Sequence, residues 1–181
     1  MKPIFKIIFI AFLTIYSCKT KQIEKTEPNT NPPKVEFSEF DLGKSDLPKL
    51  KREVNDFEHV FDVEQLEKLT LMIREFEKNT TNQIAIVSID SIGKYTDFDK
   101  FAVDLSNYNG IGLKEKDNGL SIVFSKNLRK IRISTGLGTE KILTDKICKN
   151  IIDQTIIPEF KNGDYYNGIK KGMVELIAKW K

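Results

Sequence analysis

The chain has 181 residues, of which 40% are hydrophobic and 30% are charged, and its net charge is +3. This length suits one globular domain with tails and provides a real hydrophobic core. No stretch of the sequence interleaves basic residues with aromatic ones, so we do not expect a nucleic-acid-binding protein.

The N-terminus has the features of a targeting segment. Two lysines precede the apolar run at residues 7–16, which is too short to span a bilayer comfortably. Residues 15–18 read Ile-Tyr-Ser-Cys and resemble the end of a bacterial lipoprotein signal, in which the cysteine becomes the lipidated N-terminus. The sequence therefore predicts a signal peptide over residues 1–17 and a lipid on Cys18. The alternative is a plain secretory signal or N-terminal anchor in which that cysteine has no role.

Residues 18–50 have the composition of a flexible tether. Four of the six prolines in the chain fall between residues 19 and 50, and most of their neighbours are polar or charged. Such a segment buries too little apolar surface to offset the entropy lost on ordering. We therefore place the globular domain at residues 51–181.

Hydrophobic periodicity in that domain predicts seven elements, in the order helix, strand, helix, strand, strand, helix, helix. Caps support the first two helices, since Asp62 and Asp97 precede them and Gly110 ends the second. The predicted elements are a helix over residues 63–79, a strand over 83–90, a helix over 97–110, a hairpin over 118–135 that turns at residues 126–127, a helix over 144–158 and a helix over 165–180.

This order predicts the fold class. A strand, a helix and a second strand imply a parallel pair joined by a right-handed crossover, and the hairpin adds an antiparallel strand. The sequence therefore predicts a three-layer α/β/α sandwich, Rossmann-like, with a small mixed sheet and helices on both faces.

A glycine loop, Gly136-Leu137-Gly138, follows the second hairpin strand, in a setting where backbone N–H groups can hold a phosphate. The dinucleotide fingerprint requires a third glycine and a helix that begins at once, and a P-loop requires Gly-Lys-Ser/Thr. The sequence has none of these features. We therefore predict a turn that requires glycine, and no nucleotide cofactor.

Acidic side chains lie at or beside the predicted strand ends and helix starts, where open α/β folds form their sites. Hard cations bind several oxygens from carboxylates, amides and carbonyls. A divalent-cation site follows if these side chains converge, and the alternative for each is a helix cap or a solvated charge. The candidate ligands are Asp56, Asp90, Asp117, Asn118, Glu140 and Asp145.

The sequence offers little support for other chemistry. The single histidine, His59, lies among apolar residues and is predicted to be partly buried and structural. Cys148 lies on the apolar side of a predicted helix and is predicted to be a buried, inert thiol. No Ser-His-Asp set and no Cys/His zinc pattern is supported.

Five segments in order resemble the TPM domain family, over residues 54–181. The resemblance implies an α/β/α sandwich, secretion or membrane tethering, a Ca²⁺ or similar ion near an acidic cluster, and the acid phosphatase activity proposed for the plant member. It assigns ligand roles to Asp56, Asp117, Asn118 and Asp145, whereas Asp90 and Glu140 come from the residue pattern alone. The segments are VND (54–56), NQIAIVSI (82–89), DNGLSIVFS (117–125), RKIRISTGLGTEKILTD (129–145) and IIPEFKNGDYYNGIKKG (156–172).

Three hypotheses follow. The first is a lipid-anchored, extracytoplasmic TPM domain of the bacterial cell envelope that binds a divalent cation, with Ca²⁺ expected and Mg²⁺ as the alternative. Its role would be in membrane-associated assembly or maintenance, with a protein partner and no nucleic acid. The second is a metal-assisted acid phosphatase, in which the ion polarises the phosphoryl group and activates water. The third is a metal-free protein-binding module.

Overall fold

The structure, a computed structural model, describes residues 46–180, which lie within one compact unit, Glu39–Lys181. The predictions for the signal peptide, for Cys18 and for most of the tether lie outside the described residues. Within residues 46–180, no helix is both long enough and apolar enough to cross a membrane.

The elements alternate between strands and helices in the first half of the domain and are mainly helical in the second. The bounds are β1 Val54–Asp56, α1 Val63–Thr80, β2 Gln83–Ser88, α2 Phe98–Asn109, β3 Gly119–Ser125, β4 Lys130–Thr135, α3 Leu137–Glu140, α4 Asp145–Ile151, a π-helical turn Ile152–Ile156, α5 Ile157–Lys161 and α6 Tyr165–Lys179.

The sheet has four strands in the order β1-β2-β3-β4. The first three strands run parallel, and β4 returns antiparallel to β3, so the predicted hairpin is confirmed. The periodicity did not predict β1 as a strand, because its three residues are too few to show an alternating pattern.

Two apolar cores cover the two faces of the sheet. On one face Ile86 and Ile122 pack with residues of α1, α4 and α6, such as Leu69. On the other face Val87 and Val123 pack against α2. Alternate residues of each strand face opposite sides of a sheet, so neighbouring positions supply the two cores. The predicted α/β/α sandwich with a mixed sheet is confirmed.

The two parallel crossovers have opposite hands. The chain steps in the same direction from β1 to β2 and from β2 to β3, yet α1 and α2 pack on opposite faces of the sheet. One of the two connections therefore departs from the right-handed rule that parallel crossovers usually obey. Within residues 46–180, α2 is the only helix that packs on its face of the sheet, and it lies beside β4, the last strand.

The sequence predicted that the third helix stops at Pro158, but in the structure it continues beyond this residue. Helical geometry continues through α4, the π-helical turn and α5 to Lys161. Proline is tolerated here because it lies in the first turn of α5, directly after the wider π-helical turn, where its missing N–H has no regular helical partner.

The packed part of the chain begins before residue 51. Leu47 is buried in the α2 core, and Leu50 packs against the same cluster. The Asn109 side chain fixes this stretch, because its carbonyl oxygen accepts the Leu50 N–H at 2.8 Å and its amide donates to the Pro48 carbonyl at 3.1 Å. Residues 46–50, which were assigned to the tether from composition, thus belong to the folded domain.

Candidate functional site

The six predicted ligands lie at the two opposite ends of the strands. Asp56 pairs in register with Ser88 at the carboxyl ends of β1 and β2, and Asp90 follows two residues later. Asp117 and Asn118 precede β3, at the other end of the sheet, where the parallel strands begin. Along β2, the five residue steps from Gln83 to Ser88 separate these two ends by roughly 16 Å. The six side chains therefore do not form one site, and the expectation of a single six-residue cluster is corrected.

Asp56 closes the loop between β1 and α1. Its carboxylate accepts the N–H of Val60 at 3.1 Å and the N–H of Phe61 at 2.9 Å, and it also accepts the Ser88 hydroxyl. These three donors occupy both carboxylate oxygens, which is the arrangement of a structural loop anchor.

Glu58 holds the turn between β3 and β4 at the same end of the sheet as Asp56. Its carboxylate accepts the backbone N–H groups of Lys126 at 2.8 Å and Asn127 at 3.0 Å. The turn contacts the neighbouring loop too, because the Asn127 amide donates to the Asp90 carbonyl at 3.2 Å. Sequence reasoning did not single out Glu58, and the only available signal was a charged residue within the aromatic-rich stretch Phe57–Phe61.

Asn118 is also a structural residue. Its side-chain oxygen accepts the Leu113 N–H at 2.8 Å, and its amide donates to the Thr81 carbonyl at 2.9 Å and to the Asn82 side chain at 3.1 Å. The residue is buried. These three bonds join the loop before β3 to the end of α1, so this amide positions its neighbour Asp117.

The glycine loop packs directly on the loop before β3. A Cβ added to Gly138 would lie 2.1 Å from the Lys116 carbonyl oxygen, and one on Gly136 would lie 2.3 Å from that of Asp117. The N–H groups of Gly138 and Thr139 donate to the Asp117 carbonyl at 3.1 and 3.3 Å. The glycines are therefore required by close backbone approach, and these loop N–H groups are bonded within the protein. The prediction of a simple turn without a helix that begins at once is wrong, because α3 begins at Leu137, directly after Gly136.

This packing brings three of the predicted ligands to one cleft of about 540 Å³. Asp117 comes from the loop before β3, Glu140 from α3 and Asp145 from the start of α4. The floor includes Ser121 of β3, whose hydroxyl lies 2.6 Å from that of Ser106 on α2. The cleft is thus lined by residues of α2, β3, β4, α3 and α4 and of the loop before β3.

The three carboxylates of the cleft are free of partners. Within residues 46–180, none of Asp117, Glu140 and Asp145 makes a side-chain hydrogen bond or an ion pair, and all three are exposed. They contrast with Asp56, which the loop holds at three points. No three His, Cys, Asp or Glu side chains in the described part of the chain already lie in the geometry of a metal centre.

Arg132 adds a cation to the same cleft. Its guanidinium lies 3.4 Å from the Asp99 carboxylate and donates to the Ser134 hydroxyl at 3.3 Å. Alternation along β4 places this residue on the α2 side of the sheet, opposite Val123, where it is half-buried. A strand pattern gives the face of a side chain and cannot show that a cleft opens on that face.

His59 and Cys148 lie outside this cleft. His59 is exposed and has a φ of 52°, so its predicted partial burial is wrong. Cys148 is buried, as predicted, and its thiol donates to the Leu143 carbonyl. Burial raises the pKa of the Cys148 thiol to about 11, helped by the nearby Asp145 charge, which favours the neutral form.

Three solved structures share this fold. The N-terminal domain of a protein from P. gingivalis is 28% identical, with a TM-score of 0.64 over 70% of this chain and 80% of that one. The BA42 protein from Bizionia argentinensis is 20% identical, with a TM-score of 0.59 over 69% and 88%. The N-terminal domain of cg2496 protein from Corynebacterium glutamicum is 14% identical, with a TM-score of 0.57 over 76% and 86%.

Among curated proteins, no significant match to this sequence is found. The family model of the TPM domain matches residues 54–179, which are most of the chain and nearly all of its folded part. This range includes every element from β1 to α6 and all six candidate ligands. The chain belongs to the TPM domain family.

Proposed function

We propose that this TPM domain binds a divalent cation at the cleft of Asp117, Glu140 and Asp145. Ca²⁺ is the expected ion, and Mg²⁺ is the alternative. The protein would be anchored by a lipid on Cys18 at an extracytoplasmic face of the bacterial cell envelope. Its role would be in membrane-associated assembly or maintenance, together with a protein partner.

The observation that carries this proposal is that the carboxylates at the two ends of the sheet differ in their hydrogen bonding. At the cleft, three carboxylates from three elements are without hydrogen bonds or ion pairs within residues 46–180. At the opposite end of the sheet, protein donors occupy the carboxylates of Asp56 and Glu58, and Asp90 is the one predicted ligand there without a carboxylate partner within residues 46–180. Carboxylate oxygens that no protein donor occupies are available as ligands for a hard divalent cation.

The expected affinity is low. Ca²⁺ takes six to eight oxygen ligands, so three exposed carboxylates leave several positions to water and backbone carbonyls. No group of three acids is already in metal-binding geometry among the described residues, so the loops must adjust on binding. We expect a dissociation constant of about 10⁻⁴ to 10⁻³ M, the range of extracellular Ca²⁺ modules.

An amide NMR titration of the chain from Glu39 to Lys181 with Ca²⁺ and Mg²⁺ tests the site. Saturable shifts are expected around Asp117, Glu140 and Asp145. Asp117→Asn combined with Asp145→Asn should abolish them, and asparagine tolerates the positive φ of residue 117. Glu115→Gln removes an exposed acid that does not line the cleft and should leave the titration unchanged. Absence of saturable shifts at millimolar ion would overturn the proposal.

The anchor has a separate test. The full chain is expressed in a bacterial host that is fed an alkyne-tagged fatty acid. Label on the protein is expected, together with recovery in the membrane fraction, and Cys18→Ser should lose both. An unlabelled wild-type chain would contradict the lipid anchor and leave the cation proposal intact.

A metal-assisted phosphatase is the second candidate, and the position of Arg132 favours it. An arginine in the same cleft as three carboxylates could hold a phosphate while a bound ion polarises it. Hydrolysis of p-nitrophenyl phosphate should then depend on added ion and fall at least about tenfold in Arg132→Gln. Ion binding without ion-dependent hydrolysis would leave the first proposal and remove this one. Ion-independent partner binding would instead favour the metal-free module.

A further inference from the structure

The outer edge of β4 is unpaired in the described part of the chain, because the sheet ends with this strand. The register shows which backbone groups are exposed there. The Gly136 N–H donates to the Gly119 carbonyl at 2.9 Å, and bonded positions alternate along an antiparallel pair. The N–H and C=O groups of Ile131, Ile133 and Thr135 therefore point away from β3.

A groove of about 460 Å³ runs beside this edge, between β4 and the helical segment from α4 to α5. Its apolar lining consists of Ile131 and Ile133 from β4 and of Cys148, Ile152 and Ile157 from the helical segment. The helical segment also contributes charged residues to the lining, which are Asp145, Lys149 and Asp153. An extended peptide that pairs with β4 would place every second side chain against this apolar wall.

The other side of the same edge is basic. Lys130 and Arg132 alternate with the two isoleucines and so face the α2 side. Arg129 and Lys130 are exposed and have no ion pair within residues 46–180, whereas Arg132 contacts Asp99. Acidic side chains on a neighbouring strand would lie opposite these cations, and opposite charges across a strand pair stabilise the pairing.

We propose that the β4 edge binds an extended segment of a partner protein in which apolar and acidic residues alternate, and which adds to the sheet as a fifth strand. The apolar residues fill the groove beside Ile152 and Ile157, and the acidic residues pair with Lys130 and Arg129. Main-chain hydrogen bonds to Ile131, Ile133 and Thr135 supply the remainder of the affinity.

The same charges disfavour a second copy of this chain as the occupant. Pairing of two β4 edges would bring Lys130 and Arg132 of one copy alongside the same residues of the other. Like charges on neighbouring strands destabilise the pair, and lysine on an edge strand is a known protection against edge-to-edge association.

The test uses the chain from Glu39 to Lys181, which contains both cores, and four capped octapeptides. The first alternates valine and glutamate, the second alternates valine and lysine, and the third is the first with N-methyl groups on one alternate set of residues. A fourth peptide carries the N-methyl groups on the other set. N-methylation removes the N–H donors along one edge of the peptide while it keeps side chains and charge.

With the Val-Glu peptide we expect amide shifts at Ile131, Ile133 and Thr135, and slower hydrogen exchange of those amides. N-methylation of one alternate set of peptide residues should abolish binding, whereas N-methylation of the other set should leave it unchanged. The Val-Lys peptide should bind more weakly than the Val-Glu peptide. Lys130→Glu should weaken the Val-Glu peptide about fivefold, the upper range for one cross-strand charge pair. Lys78→Glu, an exposed lysine on α1 far from the groove, is the control.

Several outcomes would overturn the proposal. Absence of shifts at millimolar Val-Glu peptide removes the site, and equal binding of both N-methylated peptides shows charge attraction without strand pairing. Shifts of the same three amides that grow with protein concentration, without any peptide, would show that a second copy is the occupant.

Discussion

Asp56 and Ser88 lie opposite each other in the parallel pairing of β1 and β2, and the Ser88 hydroxyl donates a hydrogen bond to the Asp56 carboxylate. Ser88 also accepts the Glu58 N–H at 3.0 Å. Together these bonds fix the loop that follows the shortest strand of the sheet, because Asp56 holds Val60 and Phe61 as well. An aspartate that resembles a metal ligand in sequence is therefore a loop anchor in the structure.

Asp56→Ala should lower the free energy of unfolding by about 2–3 kcal/mol, because it leaves donors of hydrogen bonds to a charged group without their acceptor. The measurement is urea unfolding of the chain from Glu39 to Lys181. Asp90→Ala is the matched control, since this aspartate is exposed at the same edge and its carboxylate has no partner among the described residues; its change should stay within about 0.5 kcal/mol. If folded Asp56→Ala lost the Ca²⁺-induced amide shifts at the cleft, Asp56 would contribute to ion binding, and its assignment as a loop anchor separate from the cleft would be contradicted.

The sequence predicted the layers of this fold because its long elements carry clear periodicity. In α1 the apolar residues Leu69, Ile73 and Phe76 recur at helical spacing and are buried, whereas Val63, at the first turn, is exposed. The hairpin followed from strict alternation along β3 and β4. Elements of three or four residues, β1 and α3, carry too little pattern to be recognised.

The site was predictable only in part, because local patterns give residue types and not distances between loops. Asp117, Glu140 and Asp145 were correctly placed at element ends, but their common cleft depends on two glycines that let α3 approach the loop before β3. The separation of Asp56 from this group depends on the strand order, which only the assembled sheet shows. Alternation along β4 gives the strand face of Arg132 and does not show that a cleft opens beside α2 on that face.

Gly138→Ala tests whether the glycine loop is a packing device. The added Cβ would meet the Lys116 carbonyl oxygen at 2.1 Å, so the backbone of one loop must move. We expect a loss of about 2–3 kcal/mol in the free energy of unfolding, as for overpacked interiors, and altered amide shifts at Asp117 and Thr139. Thermal or urea unfolding with an amide spectrum of the variant measures both.

Gly93→Ala is the comparison for that variant. It has a φ of 56° but no atom within 4 Å of the added Cβ, so only backbone strain of about 1 kcal/mol is expected. Equal losses in the two variants would show that close packing at Gly138 is not what requires glycine.

Cys148 should be inert in the folded protein at neutral pH. Its thiol is buried, and burial raises its pKa to about 11, so the reactive thiolate is scarce. In the chain from Glu39 to Lys181, whose single cysteine is Cys148, we expect no labelling by iodoacetamide at pH 7.5 in native buffer and complete labelling in urea, as followed by intact mass. Fast native labelling would show that the groove beside β4 opens to solvent at this position.

The pair of Glu53 and Arg74 should give the domain a small acid-sensitive stabilisation. The Glu53 carboxylate accepts two guanidinium hydrogen bonds, at 2.7 and 3.3 Å, and these bonds hold its pKa below the ordinary value despite partial burial. Because the pKa is lower in the folded state, the stabilisation is complete above the ordinary glutamate pKa and is lost as pH falls through the folded value. The relevant window lies below about pH 4.3.

The check compares urea unfolding of the wild type and of Glu53→Gln at pH 6 and at pH 3. Glu53→Gln should be less stable at pH 6, and the difference should shrink at pH 3, where the wild-type carboxylate becomes protonated. The effect should be smaller in 0.5 M salt, because Arg74 is mainly exposed and its charge is screened. Glu75→Gln, which removes an exposed acid of α1 without an ion pair among residues 46–180, should show no such pH dependence. A difference between wild type and Glu53→Gln that grows toward acid pH would contradict the lowered pKa, since only a raised carboxyl pKa stabilises the protonated protein.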